Sequence, residues 1–168
     1  MEKKLFLKNI EEMFESLEKG RAILATVDDE TGPTGMTIAW GFFGNMWNEY
    51  TFICAVRPNR YTYRGIKTTG KFTVNFFDEN HSQALAYFGT VSGYDENKFE
   101  KGYITAEKEN DGFTAAIKEA RMVIECEVVT ANQIEPFILK NEYTQQHYKN
   151  DNGFHTMIYG KVINIAVR

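Results

Sequence analysis

Six β-like stretches dominate the sequence and limit what it can fold into: Arg21 to Val27, Gly35 to Gly41, Tyr50 to Val56, Lys71 to Phe77, Arg121 to Thr130 and His155 to Val167. Several alternate apolar and polar residues with the two-residue period of a half-buried strand, as in Phe72, Val74 and Phe76 or Met122, Ile124, Cys126 and Val128. The helix-like segments between them are short, and no strand–helix–strand rhythm repeats. Neither a Gly-x-Gly-x-x-Gly turn nor a P-loop occurs, which disfavours a parallel nucleotide-binding sheet. The pattern predicts a mostly β fold: an antiparallel barrel with peripheral helices. A length of 168 residues suits one domain over 1–168, with residues 1–20 forming an N-terminal helix packed on the barrel.

The connecting pieces are read from their local chemistry. Ile10, Met13, Phe14 and Leu17 share a helical face between Asn9, a candidate N-cap, and Gly20, a stop. Short helices are expected at Tyr63 to Thr69 and at Asn80 to Phe88, the latter capped by Asn80 or Ser82. Phe43 to Asn48 reads as a loop, and Gly89 to Phe99 as a polar loop. Glu100 to Asp111 reads as an exposed charged connection, and Asn141 to Lys149 as a polar segment with helical character.

Composition narrows the function classes. A net charge of -4 argues against a nucleic-acid partner, because phosphate backbones reward a basic face. No apolar run is long enough to cross a bilayer, and Met-Glu-Lys-Lys is not followed by a signal-peptide core, so a cytoplasmic location is expected. Cys54 and Cys126 stand alone in β-like runs and suit buried, reduced thiols. His81, His147 and His155 lack ligand spacing, so no metal is expected.

One corner of the sequence points to chemistry. Val56-Arg57-Pro58-Asn59-Arg60-Tyr61-Thr62 stands where a strand gives way to a helix start. Guanidinium groups form charge-assisted, bidentate hydrogen bonds with oxyanions, and a helix start adds free N–H donors and partial positive charge. Pro58 fixes the turn. Two arginines and a threonine there favour an anion, with phosphate first, over ordinary surface ion pairs.

Met36-Thr37-Ile38-Ala39-Trp40-Gly41, the arginine corner, Phe72-Thr73-Val74-Asn75, Gly89-Thr90-Val91-Ser92-Gly93 with Asp95, Lys98 and Phe99, and His155 with Gly160 and Val162 occur in that order. This series resembles the flavin reductase-like, FMN-binding split-barrel family, and most closely its flavoredoxin branch. The resemblance implies a six-stranded antiparallel Greek-key split barrel and a homodimer with one FMN per subunit. It places Arg57, Pro58, Arg60, Tyr61 and Thr62 on the FMN phosphate, with Lys98 closing over it, and Ser92 and Asn75 on the same ligand. Met36, Thr37, Ile38, Ala39 and Trp40 would line the isoalloxazine, their backbone N–H groups donating to ring acceptors. Trp40 equally suits a core or interface aromatic. His155 is either a residue near the nicotinamide or a structural hydrogen-bonding histidine.

The implied activity passes electrons from NADH or NADPH through FMN to an acceptor, which includes a redox partner protein if the flavoredoxin likeness extends that far. No dedicated acid or base is needed, so no catalytic residue is assigned apart from His155 as a candidate. A non-catalytic FMN-binding or flavin-storage module is the alternative.

Overall fold

In the computed structural model, which describes residues 2–107, 114–135, 141–149 and 153–168, the alternating stretches become strands of one antiparallel sheet. The strands are β1 (Ala22–Asp28), β2 (Gly32–Ile38), β3 (Gly41–Met46), β4 (Glu49–Val56), β5 (Lys71–Phe76), β6 (Met122–Gln133) and β7 (Thr156–Val167). They lie in the order β2-β1-β5-β6-β7-β4-β3. β2 and β3 therefore occupy opposite edges, yet only Ala39 and Trp40 separate them in the chain. Three Cα–Cα steps limit Ile38 to Gly41 to roughly 11 Å. The sheet must curl until its edges stand close together. No ladder joins β2 to β3 among the described residues, so the barrel is split at that seam.

Seven strands form where six were expected. The additional one is β3, in the stretch read as a loop. Its turn to β4 places Trp47 and Asn48 at φ 54° and 61°, two left-handed residues in succession, as a two-residue hairpin of the right twist requires. Gly44 and Asn45 are poor strand formers and hid the pattern, while pairing with β4 from Gly41↔Cys54 to Met46↔Glu49 supplies what local propensity lacks.

The pleat sorts the core into two layers. Ala22 and Leu24 of β1 point inward with Phe52, Phe72, Val74, Ile124 and Cys126. Ile23 and Ala25 point outward into a second cluster with Leu85, Phe88, Ile104, Ile117 and Val123. The helix α1 (Lys3–Glu18) sends Phe6, Met13 and Leu17 into the inner cluster. It starts well before Asn9, whose Nδ2 donates to the Leu5 carbonyl inside the helix, so Asn9 is not its cap. Gly20, at φ 64°, does follow its end. Burial pushes the Cys54 thiol up to about 12, and both cysteines are free and buried, as expected.

Two connections differ from expectation. Glu100 to Asp111 is not simply an exposed link: Ile104 is buried and Ala106 pairs with Ile117, because the outer face of the sheet needs a cover; residues 108–111 lie outside the described residues. The helix α3 (Ser82–Thr90) is preceded by a short turn that Asp78 caps, its carboxylate accepting from Asn80 N–H, so neither Asn80 nor Ser82 is the cap. No helix among the described residues is long and apolar enough to cross a membrane.

Candidate functional site

The helix α2 (Tyr61–Thr69) begins two residues before the Tyr63 start expected from the sequence. Arg60 holds the N-cap position without a side-chain hydrogen bond; Tyr63 N–H is taken by the Arg60 carbonyl at 3.0 Å, which leaves the N–H groups of Tyr61 and Thr62 at the helix start for a ligand. The helix lies close on β1 at Gly65, where a Cβ would meet the Thr26 side chain at 2.7 Å and the Val27 carbonyl at 3.0 Å.

A cavity of about 190 Å³ opens at this helix start. Arg60, Tyr61 and Thr62 form one side, Gly89 to Gly93 after α3 form another, and Lys98 closes the floor. Among the described residues, no carboxylate lines it. Lys98, expected in a polar loop and closing over the phosphate, is only 6% exposed. Its Nζ donates to the Phe88 carbonyl at 2.9 Å, in the last turn of α3, where helix carbonyls lack partners. Burial, and then the charge of Arg60, hold the Lys98 pKa down to about 8. Two cations facing each other without an acid form a site for an anion of high charge.

Tyr61 gives this cavity a rigid wall. Its hydroxyl donates to buried Asp28 Oδ1 at 3.2 Å and shares a hydrogen bond with Thr31 Oγ1 at 2.9 Å. Arg64 Nε lies 3.1 Å from Asp28 Oδ2. Burial alone would push the Asp28 carboxyl up, but the Glu30 and Thr31 N–H groups, the Tyr61 hydroxyl and Arg64 outweigh it and hold the pKa below the usual value. Gly93 has no room for a side chain: a Cβ there would lie 2.9 Å from Tyr61 Cβ.

A second cavity of about 230 Å³ adjoins the first, sharing Met36 and Thr37. Ligand pockets typically measure ~300–1,000 Å³, so neither alone is of ligand size, whereas the joined groove is. Met36, Thr37, Ile38, Ala39 and Trp40 line it consecutively. Met36, Thr37 and Ile38 are the last residues of β2, and Ala39 and Trp40 form the link that follows it, so the cavity runs along the end of a strand and out over its connection. β2 is an edge strand, so half of its backbone donors and acceptors there lack a strand partner. Opposite stand Ala55 and Arg57 from the end of β4 and His155 from the start of β7, brought together by the Val56↔Thr156 pair.

Trp40 and His155 were expected at the site, whereas His147 and Tyr148 beside them were not. The Trp40 ring, 44% exposed, lies 4.7 Å from that of His155 and 5.6 Å from that of His147. Tyr148 shares a hydrogen bond of 3.0 Å with His155 Nδ1. Arg57 Nη2 donates to the His147 carbonyl at 3.2 Å. The segment carrying His147 and Tyr148, a helical turn α4 (Glu142–Gln145) followed by Gln146–Tyr148, thus packs beside the cavity. Its only signal in the sequence is the clustering of Tyr143, His147, Tyr148 and Phe154. Burial, then the charges of Arg57, Arg60 and His147, depress the His155 pKa to about 4, so the imidazole is neutral near pH 7.

Eleven of the expected ligand residues line the groove: Met36, Thr37, Ile38, Ala39, Trp40, Arg57, Arg60, Tyr61, Thr62, Ser92 and Lys98. His155 lines it as well. Two expected residues line neither cavity. Pro58 is exposed in the turn that Arg60 N–H closes onto the Arg57 carbonyl at 3.0 Å, so it shapes the corner only. Asn75 is fully buried behind the sheet, donating to the Ile23 carbonyl and accepting from Ile117 N–H, and it serves the barrel instead of the ligand. Arg57 reaches only the second cavity and not the phosphate-like one. Neither Arg57 nor Arg60 forms an ion pair among the described residues.

Comparison with known proteins agrees with this architecture. The fold matches the flavoredoxin of Methanosarcina acetivorans (TM-score 0.65, 23% identity, 88% of this chain and 67% of that one). It also matches the flavoredoxin of Desulfovibrio vulgaris (Miyazaki F), with a TM-score of 0.66, 23% identity, and 88% and 68% of the two chains covered. An FMN-binding protein from Thermus thermophilus with bound 1-cyclohex-2-enone matches at 0.67, with 15% identity over 87% of this chain and 68% of that one. No curated protein matches in sequence. The model of the flavin reductase like domain matches residues 14–168, nearly the whole barrel with both ends of the groove, and the chain belongs to that family.

Proposed function

We propose that the protein is an FMN-binding oxidoreductase that passes electrons from NADH or NADPH to a downstream acceptor. The observation that carries this reading is the groove itself, a carboxylate-free cationic cavity at a helix start, continuous with an aromatic-walled cavity along a free strand edge. Family membership supports a flavin as the ligand class.

Arg60, Lys98 and the α2 N–H groups would hold the phosphate by charge-assisted hydrogen bonds. The Met36–Trp40 edge would orient the ring system through backbone donors, and Trp40 with His155 would exclude water from one of its sides. When bound, FMN supplies the hydride and electron chemistry, and the chain supplies position, donors and a dry wall. Neutral His155 offers a hydrogen-bonding imidazole without adding charge. No acid–base pair is required.

The decisive experiment is anaerobic mixing of the FMN-loaded protein with NADH or NADPH while following visible flavin absorbance. Rapid bleaching supports the oxidoreductase; FMN binding without bleaching by either donor supports the storage module instead; failure to bind FMN defeats both.

The homodimer implied by the resemblance is part of the same proposal. Phe14 on α1 and Phe42 on the edge strand β3 are each 57% exposed, and Trp47 at its turn is 65% exposed. An apolar edge strand of this kind favours pairing with a second copy. A redox partner protein and a cytoplasmic location complete the proposal.

A further inference from the structure

The two arginines of the Arg57–Arg60 corner have separate destinations, although three residues apart they read as one anion clamp. Arg60 lines the cavity that holds Lys98 and the α2 start; Arg57 lines only the cavity with Trp40 and His155. The two residues flank a turn closed by Arg60 N–H on the Arg57 carbonyl, and their side chains line different cavities. Arg57 Nη2 is anchored on the His147 carbonyl, which fixes the guanidinium plane. Its Nε is buried and has no hydrogen-bond partner among the described residues, whereas buried N–H donors are almost always satisfied. Among the described residues, no carboxylate lines the cavity it helps to form. A charged donor without a partner, on a residue that lines the ring end of the groove, is a place for an acceptor brought by a ligand.

We infer that Arg57 donates through Nε to an acceptor on the edge of the flavin's tricyclic ring, and that the phosphate is held by Arg60 and Lys98 without it. Resting on the flavin reading above, this inference makes Arg57 a determinant of affinity for the ring system, independent of the phosphate. Riboflavin separates the two ends, because it has the ring and ribityl chain of FMN and lacks the phosphate.

The test is a titration of wild-type protein, Arg57→Met and Arg60→Met with FMN and with riboflavin, followed by quenching of flavin fluorescence, with circular dichroism confirming that each variant is folded. Loss of a hydrogen bond to a charged donor should weaken binding about tenfold or more. Arg57→Met is expected to weaken FMN and riboflavin by the same factor, and Arg60→Met to weaken FMN alone. Arg57→Lys, which keeps the charge without the Nε donor, should again weaken both ligands equally and serves if the methionine variant does not fold. Loss confined to FMN in the Arg57 variants, or unchanged affinity for both ligands, overturns the inference and leaves the flavin reading standing. A wild-type protein that binds neither flavin sinks the flavin reading itself.

Discussion

Raising the pH from 7 to 9.5 should loosen FMN while leaving riboflavin untouched, and Lys98 is the reason. In the free protein burial and Arg60 hold the Lys98 pKa near 8, so its charge is complete below that pH and is lost as the pH rises. A phosphate dianion beside Nζ would favour the ammonium and return the pKa toward the usual ~10.4. Binding then takes up a proton between those two values, and affinity is greatest below pH 8 and falls above it. With ~8 in the free state and ~10.4 in the complex, the dissociation constant should rise about 30-fold between pH 7 and 9.5. The phosphate's own proton, lost near pH 6, does not interfere in this window. Fluorescence titrations at half-unit intervals measure the slope. Lys98→Met should flatten the profile and weaken FMN at pH 7 by about tenfold or more. A flat wild-type profile, or an equal slope with riboflavin, would refute the placement of Lys98 on the phosphate.

Other consequences are open to direct measurement. The His155 imidazole should show no protonation step between pH 5.5 and 8 by NMR, because its pKa is about 4; stability should be full above the unfolded value of ~6.5 and decline as pH falls toward 4. Asp28→Asn should cost ~1–3 kcal/mol in urea denaturation, since the acceptor for Tyr61 and the partner of Arg64 is weakened at a buried site; the contribution of the wild-type carboxylate is present above pH ~3.9 and fades in more acid solution. Gly160→Ala should destabilise the barrel by ~1–3 kcal/mol, because a Cβ would stand 2.5 Å from the Phe72 ring and 2.7 Å from Cys126 Cβ; an unchanged urea midpoint would contradict that packing. Phe42→Asp should shift sedimentation from dimer to monomer if the edge strand β3 is where two copies meet.

Most of the barrel was legible because alternation is a local property. β1, β4, β5, β6 and β7 each announce a buried face within their own residues. β3 did not: Gly44, Asn45 and an exposed Phe42 carry no inward stripe, and the strand exists because β4 is beside it. The site divided along the same line. The Arg60–Thr62 corner could be read because a strand end, a proline turn and a helix start are all sequence signals. Lys98 could not be assigned its burial, since that depends on α3 ending above it at Phe88. Asn75 looked like a ligand residue because of the stretch around it, and only the fold shows it facing Ile117. The different fates of Arg57 and Arg60 arise from one turn, which spacing alone does not orient.

The two-residue link between β2 and β3 gives the molecule something like a zipper left undone. A molecule lying in the groove would touch the Met36–Trp40 margin on one side and Arg57 and His155 on the other, and so would tie that margin to the ends of β4 and β7. Amide hydrogens along that margin should therefore exchange more slowly once the groove is filled, and a few glycines spliced between Ala39 and Trp40 would let the margins drift apart and leave the ligand with only half a seat.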